Sequence, residues 1–349
     1  MDCDSFYASV ELLRRPELRG QPLVVAGTGP RAVVTTASYE ARRFGVHSAM
    51  SAARARRLCP HAVFLPPDFQ AYGDTSRALW ALVRERLDCP MQPVSLDEAY
   101  VDVTAIERPL STLRELVGEV RQHTGITVSV GVGPSRLVAK TASDAEKPAG
   151  FVVLSREQAC ERFAEAPTRL LQGVGPRTQE RLAALGVTTV GELQRADAQL
   201  LVERFGERMG GWLQQRAFFH DSSPVESARV AKSRSSETTF DEDVSDPAIL
   251  EDVVRRLAAQ VCEALARKDA RGRTIGIKVR LDDWTNATRA RTLEAPTNDP
   301  AVVTAVALEL LRAYAPPRPV RLLGVRVASF EDEVERAAPS DQLALPILS

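Results

Sequence analysis

At 349 residues the chain is longer than one compact core serves, so about two to four domains are expected. Its 45 basic and 46 acidic residues leave a formal net charge of −1, which excludes binding to nucleic acid by bulk charge and leaves only local basic surfaces. No apolar run is long enough to span a bilayer and no secretory signal is read at the start, so a cytoplasmic protein is expected. The five cysteines, Cys3, Cys59, Cys89, Cys160 and Cys262, lack paired or metal-ligand spacing and read as free thiols of a reducing compartment. Only five residues are Lys (Lys140, Lys147, Lys232, Lys268 and Lys278), so most of the positive charge is carried by planar Arg forks.

The elements follow in chain order. Asp2-Cys3-Asp4 has a strand-like setting, with Phe6 and Tyr7 beside it. Residues 23–25 and 32–36 are short strand-like runs around a Gly/Pro turn, and 38–44 reads as a short helix closed by Gly45. Helical spacing of Leu79, Leu82, Val83 and Leu87 predicts a helix over 72–87. Strands are expected at 100–103 and 127–132, flanking a helix at 110–124. Residues 157–219 read as mostly helical, and a polar linker starts at Asp221-Ser222-Ser223-Pro224. A second α/β unit follows, with strands near 274–281, 289–293 and 320–327 and helices near 247–266 and 300–314.

Two acidic motifs stand out, Asp2-Cys3-Asp4 and Ser95-Leu96-Asp97-Glu98-Ala99-Tyr100. Acidic residues are rarely buried in strands unless they bind something. Carboxylates brought together from two strands repel, a hard divalent cation relieves the repulsion, and two such cations can run an in-line phosphoryl transfer. An isolated Asp-x-Asp more often marks a turn or a helix cap; it is the second motif that favours metal.

These residues resemble a known family. Asp2-Cys3-Asp4-Ser5-Phe6-Tyr7-Ala8-Ser9-Val10-Glu11, Tyr39-Glu40-Ala41-Arg42-Arg43-Phe44-Gly45-Val46 and Ser95-Leu96-Asp97-Glu98-Ala99-Tyr100 resemble the Y-family translesion DNA polymerases, with the bacterial DNA polymerase IV branch the best fit. Ala139-Lys140, Lys147-Pro148-Ala149-Gly150, Gly173-Val174-Gly175 and Arg273-Thr274-Ile275-Gly276-Ile277-Lys278-Val279 continue the pattern in the right order over nearly the whole chain. The resemblance implies an α+β multidomain, right-hand polymerase with palm, fingers and helical thumb, plus an α/β little finger domain. The palm is expected at 1–8 and 64–156, the fingers at 9–63, the thumb with a helix-hairpin-helix at 157–222, a linker at 223–235, the little finger at 236–330 and a flexible clamp-binding tail at 331–349.

The resemblance also implies roles. Asp2, Asp97 and Glu98 would ligate two Mg2+ ions, the Cys3 carbonyl completing one shell, with Asp4 in support behind them. Thr36, Tyr39, Arg42 and Lys147 would hold the triphosphate, Arg43 would solvate a helix face, and Lys140 reads equally as a phosphate contact or as a solvated cation. Tyr7 would be the steric gate against a ribose 2′-hydroxyl. Gly173 and Gly175 would let backbone N–H groups approach a DNA phosphate. Lys278 and Arg280 share one strand face, and Arg289 and Arg291 lie two apart on the next strand, so these four are expected to face the DNA backbone. In the tail, Gln342, Leu343, Leu345 and Ile347 resemble a sliding-clamp docking peptide.

The expected partners are primer–template DNA, deoxynucleoside triphosphates and the sliding clamp, with no membrane and a monomeric enzyme. Family members usually carry several apolar residues before the first catalytic aspartate. Here Asp2 follows Met1, so a shortened first strand with an α-amino group near the metal site is expected. Two other readings stand beside the polymerase. A non-catalytic polymerase-like clamp-binding adaptor would lack the carboxylate set. An Asp-x-Asp phosphatase or glycosyltransferase would not need the hairpin, the second α/β unit and the tail.

Overall fold

The computed structural model describes residues 1–227 and 229–330, together with the backbone of the short strand Glu335–Arg336. The chain divides into two compact units, Met1–Pro16 with Gln70–Ser227, and Glu17–Phe69 with Ala228–Ser349.

The first unit is built around a small sheet. The strand Asp2–Cys3 pairs antiparallel with Val128–Val132, which pairs parallel with Phe151–Val153. On its other side Asp2 bridges Glu98, which leads into the antiparallel pair Met91–Pro93 and Ala99–Val101. The first strand stops at Cys3, and Ser5 takes a left-handed conformation that turns the chain into the helix Phe6–Arg14. The strand-like setting expected for Asp2-Cys3-Asp4 therefore stops short of Asp4, and Phe6 and Tyr7 lie in that helix's first turn.

The helix Phe69–Leu87 buries Tyr72, Ser76, Leu79, Trp80, Val83 and Leu87, an i, i+3/i+4 stripe, and so starts one turn earlier than its spacing predicts. It also pins the second acidic motif: Ser76 Oγ and Trp80 Nε1 donate to the Leu96 carbonyl at 2.6 and 2.9 Å. The helix Arg136–Ala145, capped by Ser135, packs on Val128–Val132 at close range. A Cβ on Gly131 would lie 2.0 Å from the Ala139 carbonyl oxygen and 2.3 Å from the Ser143 nitrogen. The short helices of 156–217 share one core with this layer, in which Leu137, Val138 and Val152 meet Phe163, Leu182, Leu193 and Leu213.

The second unit holds two sheets. Val34–Ala37, Leu23–Ala26 and Val63–Leu65 form one, packed by Ala41, Met50, Ala55 and Cys59. The other is four-stranded and antiparallel, in the order Ser233–Val244, Val320–Phe330, Gly272–Leu281, Asn286–Thr297. The helices Pro247–Ala266 and Pro300–Tyr314 cover one of its faces, each started by an Asp N-cap and a Pro in the first turn. The strand Ser233–Val244 was not among those expected, and only its first three residues fall in the expected linker at 223–235. It is an edge strand whose side chains are mostly hydroxyl or acidic, so it lacks the apolar alternation by which a strand is read.

All five cysteines are free. Among the described residues no helix is long and apolar enough to cross a membrane. The close approach at Gly131 yields a stability test. Gly131→Ala should destabilise the protein by about 1–3 kcal/mol, the cost of overpacking a tight helix–strand contact. A thermal melt showing an unchanged midpoint would contradict that packing.

Candidate active site

The first strand carries Asp2 between two neighbours. Its backbone pairs with Ser129 on one side and Glu98 on the other, and the Cys3 N–H donates to the Asp97 carbonyl at 2.8 Å. The sheet thus brings Asp2, Asp97 and Glu98 together from the two motifs. Two lysines answer them. Lys140 Nζ lies 2.5 Å from Asp2 Oδ2 and 2.7 Å from Glu98 Oε2, and Lys147 Nζ lies 2.6 Å from Asp2 Oδ1. Asp144, on the same helix as Lys140, joins both ammonium groups at 3.2 and 2.7 Å. Asp97 Oδ1 accepts from Ser95 Oγ at 2.5 Å.

The protonation balance follows from burial and charge. Burial opposes ionisation of Asp2, yet Lys140 and Lys147 outweigh it and hold that carboxyl below its ordinary value. Glu98 shares Lys140 but is pushed up, by burial first and then by the charge of Asp2 beside it. The two differ because Asp2 has both ammoniums and Glu98 only one, at a longer distance. Asp97 is also raised, by burial and by Asp2, against the Ser95 hydrogen bond. Four carboxylates therefore face two ammoniums in a half-buried place, and full ionisation is opposed for Asp97 and Glu98.

That excess of hard oxygen donors and negative charge fits divalent cations. As they stand, no three His, Cys, Asp or Glu side chains among the described residues converge on one point, because the lysines engage Asp2 and Glu98 while Ser95 engages Asp97. The Cys3 thiol is buried and pushed well above its usual value, by burial first and then by Asp97 and Asp2, so it is no nucleophile. What Cys3 offers a cation is its backbone carbonyl. The Met1 α-amino group donates to the Ala99 carbonyl at 3.0 Å.

Asp4 has a different task from Asp2. It lies beyond the strand, where Oδ1 accepts from Ser129 Oγ and Oδ2 from the Ala149 N–H, both at 2.8 Å. It thereby ties the first strand to the loop that carries Lys147. Tyr7 flanks the centre. Burial first, then the charge of Asp97, raises its hydroxyl above the usual range, and its ring stacks on Tyr72.

In the second unit Thr36 is buried at the end of a strand, and the side chain of Ser38 caps the helix Tyr39–Arg42. Arg42 is exposed; its Nε donates to the Ala37 carbonyl at 2.9 Å and its guanidinium lies 4.9 Å from the Tyr39 ring centroid. Tyr39 and Arg42 thus form one local pair.

Gly173 has a positive φ, and a Cβ there would lie 2.7 Å from the Trp212 ring, so internal packing requires glycine. A Cβ on Gly175 would meet nothing within 4 Å, so no internal contact requires it. Gly175 caps the helix Pro176–Ala183.

The four-stranded sheet separates the residues expected to act together. Lys278 pairs with Thr288 and Arg280 with Asn286, on the face away from the helices. Arg289 pairs with Ile277 and Arg291 with Ile275, which places both arginines on the helix side and corrects the expectation of one shared basic face. There Arg291 ion-pairs with Glu309, and the Arg289 guanidinium lies 4.8 Å from the Tyr314 ring centroid. The open face gains Arg326 instead, opposite Gly276 and exposed. On the same face Lys278 is paired with Glu237 at 2.8 Å. Gln342, Leu343, Leu345 and Ile347 lie outside the described residues.

Spacing alone did not single out Asp144, Tyr72, Glu11 or Arg326. The scarcity of lysine is the signal for Lys147; it does not decide for Lys140, and only the fold shows the partners of that residue.

Residues 1–144 match the impB/mucB/samB family and residues 231–345 the C-terminal domain of that family. The chain is 43% identical over 338 residues to a DNA polymerase IV of Streptomyces coelicolor, covering 95% of this chain and 70% of that protein. It is 39% identical over 349 residues to a DNA polymerase IV of Methanoculleus marisnigri, covering 98% and 96%. A solved Y-family DNA polymerase chimera superposes with a TM-score of 0.82 at 26% identity, over 95% of this chain and 98% of that one. The insertion ternary complex of Dbh DNA polymerase superposes with a TM-score of 0.66 at 25% identity, over 94% and 97%. The chain belongs to the Y-family of DNA polymerases and is a DNA-directed DNA polymerase of the translesion type.

Proposed function

We propose that this polymerase extends a primer 3′ end during damage bypass by nucleotidyl transfer at Asp2, Asp97 and Glu98. Deoxynucleoside triphosphates are the substrate and two Mg2+ ions the cofactor. Dependence on divalent metal is general to the family; the identity and number of the ions are this proposal's. The observation that carries it is the excess of buried carboxylate over ammonium charge where the two acidic motifs meet. When bound, the ions would supply Lewis acidity, lowering the pKa of the primer hydroxyl and neutralising the triphosphate and leaving pyrophosphate.

The chain's own residues would do the rest. Asp2, Asp97, Glu98 and the Cys3 carbonyl would hold the ions. Lys147 and Lys140, on long flexible stems, would turn from carboxylate to phosphate, and Thr36, Tyr39 and Arg42 would add hydroxyl and guanidinium donors. Tyr7 would fill the space a ribose 2′-hydroxyl needs. An adaptor without chemistry has no use for a complete, half-buried carboxylate set, and so is the weaker reading.

Asp97→Asn keeps the shape and removes the charge. It should slow primer extension by about 10³-fold, roughly 4 kcal/mol of barrier, with DNA affinity nearly unchanged. Chelation should stop the wild type and added Mg2+ restore it. Wild-type rates in the Asn variant would refute the assignment.

For DNA, the open face of the four-stranded sheet supports the reading best. Arg280 and Arg326 stand on it among Thr274, Thr288 and Thr292, with Gly276, Ala290 and Gly324 leaving the surface low between them. Gly173 and Gly175 would give a second backbone contact. Neutralising Arg280 and Arg326 together should reduce the log–log salt slope of duplex binding by about two, since each phosphate contact contributes roughly 0.9. The same change at Arg289 and Arg291 should leave the slope in place, because those side chains are engaged on the helix side. The reverse pattern would mean the helix side carries the DNA.

The tail reading is of the same kind. Gln342, Leu343, Leu345 and Ile347 would dock the enzyme, acting as a monomer, on the sliding clamp and raise its local concentration at the primer end. Deleting residues 342–349 should spare single-nucleotide insertion and abolish clamp-stimulated synthesis. Undiminished stimulation would show that docking lies elsewhere.

A further inference from the structure

The ring behind Tyr7 is held by a buried charge. Tyr7 and Glu11 lie one turn apart on the helix Phe6–Arg14, and both meet Tyr72 from the helix Phe69–Leu87. Tyr72 is 0% exposed and stacks on Tyr7, with ring centroids 4.4 Å apart and planes 20° from parallel. Its hydroxyl donates to Glu11 Oε1 at 2.6 Å. Glu11 is 1% exposed; its Oε2 accepts from Arg15, and Arg14 stands 3.8 Å from Oε1.

Burying a carboxylate is costly unless it is paired, and a well-packed apolar contact in its place is often at least as stable. What a short, charge-assisted hydrogen bond adds is a fixed position. Two flat rings in contact can slide over one another at little cost. Tethering one by its hydroxyl removes that freedom. A steric gate depends on such stiffness, since a displacement of about 1 Å in a reacting site can change rates by roughly 10²-fold.

We infer that Tyr72, anchored by Glu11, is a positioning residue for sugar selection: it fixes the ring of Tyr7 so that the ring cannot retreat from a ribose 2′-hydroxyl. The inference rests on Tyr7 being the gate. It assigns Glu11 a role outside the metal site, since its carboxylate is spent on Tyr72 and the two arginines.

The measurement is the ratio of kcat/KM for a deoxynucleotide to that for the matching ribonucleotide, on the full chain with Mg2+ and primer–template DNA. Tyr72→Phe keeps the ring and loses the tether. It should lower the ratio by about 3- to 10-fold, the size of one net hydrogen bond, mainly through faster ribonucleotide insertion. Deoxynucleotide kcat should stay near wild type, and the thermal midpoint should fall only as far as the loss of one buried hydrogen bond to a charged group requires, whereas a general loss of structure would lower deoxynucleotide kcat as well. Glu11→Gln keeps an accepting oxygen and should preserve most of the ratio, whereas Glu11→Leu should lose it. In a Tyr7→Ala background Tyr72→Phe should have no further effect. A collapsed ratio in Tyr7→Ala with an unchanged ratio in Tyr72→Phe, or additive losses in the double variant, overturns the inference and leaves the gate standing. An unchanged ratio in Tyr7→Ala overturns the gate itself, and the inference with it.

Discussion

Lys140 meets Asp2 at 2.5 Å and Glu98 at 2.7 Å, and Lys147 meets Asp2 at 2.6 Å. Carboxylates from separate strands, half removed from water, would repel one another strongly without these ammonium groups. The compensation is incomplete. Burial still raises Asp97 and Glu98, so their ionisation lacks the compensation that a divalent cation would supply. A lysine is a suitable placeholder because its charge sits on a flexible stem and can move to a phosphate when a cation takes over its carboxylate. In the proposed mechanism, the electrostatic demand that would attract metal would also keep the lysines proposed to bind phosphate next to it.

The scaffold around the centre is organised to hold these charges still. Asp4 spends both oxygens on Ser129 and Ala149, joining the first strand to the lysine-bearing loop. Ser76 and Trp80 together hold the Leu96 carbonyl, one residue before Asp97. Gly131 lets the helix that carries Lys140 approach the sheet closely. Each contact converts helix or strand rigidity into the position of a charged side chain. Functional groups borne on regular elements are held more precisely than groups on loops.

The four-stranded sheet shows how one covered face directs chemistry to the other. The two helices occupy the side of Ile275, Ile277, Val325 and Val327, so cations of the opposite parity, Lys278, Arg280 and Arg326, face outward. Arg289 and Arg291 belong to the first parity. They escape burial only because Asn286–Thr297 is an edge strand, where long side chains can lie along the helix Pro300–Tyr314.

Much of this was legible in the residues. The helices Pro247–Ala266 and Pro300–Tyr314 match their expected limits because Asp and Pro begin them and an apolar stripe fills them. The ordered motifs were enough to show the family, and the two acidic motifs pointed to metal-assisted phosphoryl transfer. The strand Ser233–Val244 was not legible, since its order comes from backbone pairing to a neighbour and not from its own side chains. Nor was the helix starting at Phe6, which depends on a left-handed turn at Ser5.

The sequence by itself determined which groups are available: four carboxylates in two motifs, very few lysines, two aromatics after the first strand, and alternating cations in the last sheet. Tertiary structure alone decided their partners. It set Lys140 on Asp2 and Glu98, Tyr72 between Tyr7 and Glu11, and Arg289 and Arg291 on the helix side. The reason is that periodicity along one strand or helix defines a face, while the pairing of faces depends on register and packing between segments far apart in the chain.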